Sequence, residues 1–324
     1  MKYFFVLGNA AELAREEVRA VLPHQELFYD PPVLILETEK TIPFERFGGV
    51  IKVGEVIDEK IVDYLKSFSR VDFGISTYGE KLPDLREIKR ELGELGIRSR
   101  FVLPKIGTEL SSVIVKKQKL TEVLKYKNLI ARTVWVQDFE DWGKRDYGRP
   151  EVEAKIGMLP PKVARMMVNI GSSDQVLGSS ILDPFCGVGT IISEALGLGI
   201  KAIGSDIDPK QIARTRKNLE FFGQKASLFV SDARKISEKI KNIDAIVTES
   251  FLGPADPKIL EKLYLDCFEN WKKVLKPNGK VVIALPFIID KAKIMGYSLV
   301  AGPFIYARPQ AKIKRNICVF TFNF

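Results

Sequence analysis

The run Ile181-Leu-Asp-Pro-Phe-Cys-Gly-Val-Gly-Thr190 places an acid, Asp183, at the end of an apolar strand pattern, and Gly187 and Gly189 in a turn that opens a helix at Thr190. Such a turn lets backbone approach a ligand where a Cβ would collide, and the helix start presents unpaired N–H groups. The chemistry implied is the holding of a nucleotide-like cofactor. A dinucleotide fits less well: its fingerprint wants a third glycine where Ile192 stands, and its pyrophosphate would sit poorly beside Asp183. S-adenosylmethionine, with a sulfonium and a free α-amino group, suits an acid at the strand end. An ordinary strand-to-helix turn would not need Asp183 together with both glycines.

A cofactor of this kind predicts a second acid at the end of the next strand, about 20 residues on, where a carboxylate accepts from both ribose hydroxyls. Asp206, in Gly204-Ser-Asp-Ile-Asp208, stands there. Asp208 precedes Pro209 and reads as the N-cap of the following helix, which leaves Ile207 to offer an apolar face to the adenine.

The full run through Pro184, Phe185 and Cys186 resembles the class I S-adenosylmethionine-dependent methyltransferases, specifically those whose first motif reads Asp-Pro-Phe-Cys-Gly-x-Gly-Thr and which methylate exocyclic amines of nucleic-acid bases. The resemblance implies cofactor contacts from Asp183, Phe185, Gly187, Gly189, Thr190, Asp206, Ile207, Asp232 and Ala233. Asp232, in Ser231-Asp-Ala-Arg234, fits the acid that accepts from the adenine amino group; the plain alternative is another helix cap.

Ligands of open α/β sheets gather at the carboxyl ends of strands, so the catalytic loop should follow the fourth strand, at Ala245-Ile-Val-Thr-Glu249-Ser-Phe-Leu-Gly-Pro254. The resembled family places Asp or Asn, two prolines and Tyr or Phe there, and this chain departs from that. A guanine amine is a poor nucleophile because its lone pair is delocalised. Two acceptors and an aromatic face can orient it. Glu249 and the Ser250 carbonyl supply the acceptors, and Phe251 the stack.

The elements that must carry these residues alternate regularly from Ile181: strand Ile181–Leu182, helix Ile191–Leu198, strand Ala202–Gly204, helix Pro209–Phe221, strands Ser227–Val230 and Ala245–Val247, helix Lys258–Val274 and strand Lys280–Leu285. The α/β class follows, a doubly wound sheet closed by antiparallel runs Tyr297–Tyr306 and Ile313–Phe322. Ahead of it, residues 1–58 read as a ferredoxin-like α+β domain, with strands Lys2–Leu7, Glu26–Tyr29, Val33–Thr38 and Ile51–Ile57 and helices Ala11–Val21 and Thr41–Phe47. Residues 59–140 read as helix Glu59–Phe68, strand Asp72–Thr77, helix Leu82–Leu95 and strands Arg98–Val102 and Val113–Lys116. Residues 141–156 read as a linker, and 157–324 as the methyltransferase-like domain, entered through Gly157-Met-Leu-Pro-Pro-Lys162 and helix Val163–Ile170.

Within 59–140, Phe73-Gly-Ile-Ser-Thr-Tyr78 and Ser111–Leu120 resemble the THUMP-containing RNA methyltransferases, whose module grips the tRNA acceptor region. Gly157–Lys162, after an Arg-Asp and Arg-Pro run, resembles the tRNA guanine-N2 members of that class and implies packing beside the cofactor's methionine end. Arg98, Arg100, Lys105, Lys116, Lys117 and Lys119 gather around two predicted strands and could meet several phosphates. Arg308, Lys312, Lys314 and Arg315 form a second basic group near the last strands; a solvated face is the plain alternative for both.

At 324 residues, with 46% hydrophobic and 28% charged residues, the chain is long enough for two or three units. A net charge of +9 favours an acidic partner. Cys186, Cys267 and Cys318 form no Cys-x-x-Cys pair, so neither a disulfide framework nor a thiolate zinc site is supported. The one histidine, His24, excludes triads and multi-histidine metal sites, and no metal is called for. The cysteine usage fits a reducing cytoplasm; the apolar start reads as too short for a secretory signal, and no run approaches a membrane span.

The resemblance implies transfer of a methyl group from S-adenosylmethionine to guanosine N2 in tRNA, with position 10 favoured. Rival readings are a methyltransferase for another base amine in tRNA or rRNA, and a catalytically inactive protein that binds cofactor and RNA. An altered loop would also fit a requirement for a small activating protein subunit.

Overall fold

Asp208-Pro209 and Asp256-Pro257 each put a capping acid before a proline, and a helix starts at both. The Asp208 carboxylate accepts from Lys210 N at 2.9 Å and that of Asp256 from Lys258 N at 2.8 Å. The computed structural model describes residues 1–152, 158–172, 178–253, 255–290, 294, 296–307 and 314–323.

In chain order the elements are β1 Lys2–Leu7, α1 Ala11–Val21, β2 Gln25–Asp30, β3 Val33–Glu37, β4 Val50–Ile57, α2 Ile61–Leu65, β5 Arg70–Thr77, α3 Leu85–Glu94, β6 Arg98–Phe101, α4 Ser112–Gln118, β7 Thr121–Tyr126, β8 Leu129–Val136 and α5 Phe139–Tyr147. They continue with α6 Pro161–Gly171, β9 Ser180–Asp183, α7 Thr190–Gly197, β10 Lys201–Asp206, α8 Pro209–Phe221, β11 Ser227–Val230, β12 Ile243–Glu249, α9 Pro257–Trp271, β13 Leu275–Leu285, β14 Tyr297–Ala307 and β15 Lys314–Phe322. Two units result: Met1–Ala11, Leu22–Glu45 and Gly49–Phe139 form the first, and Glu12–Val21, Arg46–Gly48 and Glu140–Phe324 the second.

The first unit is built on one sheet of eight strands, β2-β3-β1-β4-β8-β7-β5-β6. Strands from both expected N-terminal modules share it, because β4 pairs antiparallel with β8. Inside it Lys52, 2% exposed, meets the Glu122 carboxylate and donates to Leu110 O at 2.6 Å, while Ser76 and Thr133 hydroxyls complete Glu122. Such a pair is tolerable inside a protein only with its hydrogen bonds filled.

Three local expectations are corrected. Val113–Lys116 is not a strand: Ser111 caps α4 by accepting from Ile114 N at 3.3 Å, and β7, next in sequence, lies parallel to β5 instead. A parallel neighbour requires a crossover, and α4 is part of it. Thr41–Phe47 is not an α-helix but a 3-10 turn at Phe44–Arg46, since Pro43 cannot donate within a helix. Residues 141–147, read as linker, belong to α5, whose Trp142 is buried.

The second unit carries the doubly wound sheet, in the order β11-β10-β9-β12-β13-β15-β14. β9 through β13 run parallel, and β15 and β14 close the edge antiparallel. The parallel strands are apolar on both faces, as a covered sheet demands. Trp271, Phe268, Tyr264 and Phe320 fill one side, where the Trp271 indole donates to Ala233 O at 3.2 Å. That bond fixes the loop after β11, on which part of the candidate site stands.

Candidate active site

The polarity of parallel strands collects side chains at their carboxyl ends. Asp183 ends β9, Asp206 ends β10, Asp232 follows β11 and Glu249 ends β12, and all line one cavity of about 720 Å³. Phe185, Gly187, Thr190, Ile207, Ala233, Ser250 and Phe251 line it too. One crevice therefore gathers nearly all the cofactor and catalytic residues expected from sequence.

Asp183 is 2% exposed and accepts from Thr248 Oγ1 at 2.6 Å and from Phe185 N at 3.2 Å. Burial pushes its carboxyl up to about 8 against these two donors, with the negative charges of Asp206 and Glu249 adding to the rise. At neutral pH it holds a proton that a cationic ligand would displace. Asp206 accepts from Gly187 N and Asp208 N, each at 3.0 Å, and burial raises its carboxyl too. Its remaining lone pairs suit hydroxyl donors. Ile207 beside it is 66% exposed, an apolar surface on the cavity wall.

Asp232 is a helix cap, the plain alternative weighed for it, and it also stands on the cavity wall. It caps the 3-10 turn Ala233–Glu238 by accepting from Arg234 N at 2.9 Å. Hydrogen bonding to the Arg234 guanidinium holds its carboxyl below the usual range.

Gly189 precedes α7 with φ +84°, and a Cβ there would lie 2.7 Å from Thr215 Cγ2 on α8. A side chain at Gly189 would therefore crowd α8, whereas at Gly187, φ +51°, a Cβ would meet only Phe185 O at 4.0 Å, and its N–H donates to Asp206. Thr190 Oγ1 accepts from the buried Arg149 at 2.8 Å, a bond the linker reading missed.

The loop after β12 is pinned without prolines among its described residues. Ser250 donates to Ala284 O through its N–H at 3.1 Å and its hydroxyl at 2.8 Å, and the Tyr264 hydroxyl donates to Phe251 O. Phe251 is 46% exposed, and its ring lies so close over Gly253 that a Cβ there would be 2.3 Å from Cζ. Glu249 forms an ion pair with Arg315 of β15.

That pair overturns the reading of Arg315 as a basic edge for nucleic acid, since its side chain is 1% exposed. A charge that deeply placed needs a counter-charge more than a solvent-borne partner. Arg308 and Lys312 lie outside the described residues, as does Gly157, while Met158 and Leu159 line the cavity. Sequence reasoning also missed Thr248 beneath Asp183, although its place directly before Glu249 is a usable signal, and Lys262 and Asp266, which α9 brings to the cavity.

Arg98, Arg100, Lys105, Lys116, Lys117 and Lys119, expected to meet RNA, all belong to the first unit. Arg98 and Arg100 stand exposed on β6, the edge strand, with Arg100 paired to Asp72 at 3.0 Å. Lys105 is exposed in the loop after β6. Lys116, Lys117 and Lys119 project from α4 and its cap rather than from a strand, with Lys116 paired to Asp138 at 2.8 Å. Among the described residues no His, Cys, Asp and Glu cluster could hold a metal ion, and no helix is long and apolar enough to cross a membrane.

Comparison with known proteins agrees with the methyltransferase-like fold. Residues 149–298 match the family model described as "RMKL-like, methyltransferase domain". The chain is 38% identical to the tRNA (guanine(10)-N2)-dimethyltransferase of Methanothermobacter thermautotrophicus over 41% of this chain and 40% of that protein. It is 31% identical to the probable tRNA (guanine(10)-N2)-dimethyltransferase of Methanothermococcus thermolithotrophicus over 38% of this chain and 78% of that protein. The chain spans half or less of the length of two of the curated relatives it matches. TrmN from Thermus thermophilus superimposes over 99% of this chain and 100% of its own with a TM-score of 0.55 at 16% identity, a likeness of fold. The chain belongs to the family of the tRNA (guanine(10)-N2)-dimethyltransferases.

Proposed function

We propose that this chain is an RNA methyltransferase that moves a methyl group from S-adenosylmethionine to the exocyclic N2 of guanosine in tRNA, with position 10 as its site. The observation that carries the reading is the convergence of Asp183, Asp206, Asp232 and Glu249 on one cavity that also holds Phe251.

The donor chemistry of the cavity fits the cofactor. When bound, S-adenosylmethionine supplies an electrophilic methyl on a sulfonium. Asp183 accepts from its α-amino group and Asp206 from the ribose hydroxyls. Ile207 covers the adenine, Asp232 meets the adenine amine, and Phe185, Thr190 and Ala233 complete the walls. Gly187 lets the backbone come close.

On the acceptor side, Phe251 stacks on an extruded base, and Glu249 and the Ser250 carbonyl accept from its N–H groups so that the nitrogen lone pair meets the methyl in line. The amine's surplus proton leaves to Glu249 or to bulk water. The exposed cations of the first unit, Arg98, Lys105, Lys117 and Lys119 foremost, bind RNA phosphates in the manner of a THUMP module. The reading places the enzyme in the cytoplasm, and the unusual loop makes a small activating subunit worth testing.

The experiment is direct. The purified protein is incubated with methyl-labelled cofactor and unmodified tRNA transcripts, and the digested nucleosides are identified. N2-methylated guanosine supports the reading. Cofactor binding with no transfer to any tRNA sinks catalysis, and N6-methyladenosine sinks the guanine assignment.

A further inference from the structure

Glu249 stands where the resembled amino methyltransferases carry Asp or Asn, and its partner lies two strands away. In the order β12-β13-β15, the Arg315 guanidinium spans β13 to reach the Glu249 carboxylate. Arg315 is among the largest fully buried side chains, so its charge must be met inside the protein. The register that delivers it is locked: Leu285 of β13 pairs with Asn316, whose amide donates to Leu285 O at 3.3 Å. Ser250, next to Glu249, is tied to the preceding residue of β13, Ala284, through two hydrogen bonds. Backbone and carboxylate of the loop are thus referenced to one strand.

A carboxylate held against a guanidinium is ionised, and an ionised carboxylate only accepts. Guanine presents two adjacent donors, N1–H and an N2–H. Adenine and 2-aminopurine present an acceptor, N1, beside an amine donor, so an acceptor-only group meets a lone pair there and makes one hydrogen bond fewer. A carboxamide, with one donor and one acceptor, has the opposite preference.

We infer that Arg315 is a positioning residue that keeps Glu249 an ionised, acceptor-only group at the cavity, and that Glu249 thereby selects guanine by its paired N1–H and N2–H. The inference deepens the proposed function and rests on it. Arg315 acts through Glu249 and touches no substrate.

The test uses the full chain and tRNA transcripts carrying guanosine or 2-aminopurine at the position the unaltered protein methylates. Glu249→Gln should shift the guanosine to 2-aminopurine ratio of kcat/KM toward 2-aminopurine by about tenfold or more. Arg315→Gln should lower kcat for guanosine by about tenfold while the Kd for S-adenosylhomocysteine stays within about threefold, Arg315→Lys should recover part of the loss, and Arg315→Gln should add little in the Glu249→Gln background. A ratio unmoved by Glu249→Gln overturns the inference, and that variant suffices if Arg315→Gln does not fold. Equal additive losses in both backgrounds overturn the coupling. An unaltered protein that binds S-adenosylhomocysteine but methylates no guanosine brings down the proposed function itself. Guanosine transfer with unmoved ratios brings down this inference alone.

Discussion

Cofactor affinity should rise with pH up to about 8, because of Asp183. Burial holds its proton in the ligand-free protein, whereas pairing with the ligand's α-ammonium group requires the carboxylate. The free form therefore binds one more proton than the complex at pH values below about 8, and binding must release it. With the carboxyl at about 8, roughly nine-tenths of the protein is protonated at pH 7, so binding there should release about 0.9 proton and cost about 1.4 kcal/mol relative to a fully ionised site. Affinity should then grow up to about tenfold per pH unit below that point and level off above it. Calorimetry with S-adenosylhomocysteine, whose amine stays protonated in this window, run in buffers of different ionisation enthalpy, reads both quantities. Asp183→Asn should abolish the proton release. Thr248→Val, which removes the 2.6 Å donor favouring the charged form, should move the rise to higher pH. A flat affinity between pH 6 and pH 8 with no proton release would refute the role given to Asp183.

Asp206→Ala should weaken cofactor binding by about tenfold to a hundredfold, the worth of charged hydrogen bonds to two hydroxyls, and equal affinity in calorimetry contradicts its ribose role. Gly189→Ala should destabilise the protein by about 1–3 kcal/mol, since the new Cβ meets Thr215 at 2.7 Å on a left-handed backbone; an unchanged Tm would show that the helices yield freely. Lys105→Ala with Lys119→Ala should weaken tRNA binding and reduce the slope of log affinity against log salt by about 0.7–0.9 for each phosphate no longer neutralised, leaving the cofactor Kd alone. An unaltered slope removes these lysines from the RNA surface.

Asp183, Asp206 and the Asp208 cap are legible in sequence because each depends on a strand end and a turn a few residues away. The same locality makes the doubly wound order readable from alternation. Arg315 is not legible in that way, since its meaning depends on β15 lying one strand beyond β13 from Glu249, a register no local pattern encodes. Val113–Val115 misleads because β-branched residues suit strands, yet Ser111 and the crossover from β5 to β7 make them helical. Gly189 has the backbone conformation its turn implies, but the second reason a side chain is excluded there, Thr215, lies 26 residues further along the chain.

The central claim is where the methyl group goes. Two tRNA transcripts differing only at position 10, one with guanosine and one with inosine, which lacks the exocyclic amine, can be given to the protein with labelled cofactor. Label should appear in N2-methylated guanosine from the first and be absent from that position in the second. Equal incorporation into both, or transfer to neither while the cofactor binds, would contradict the claim.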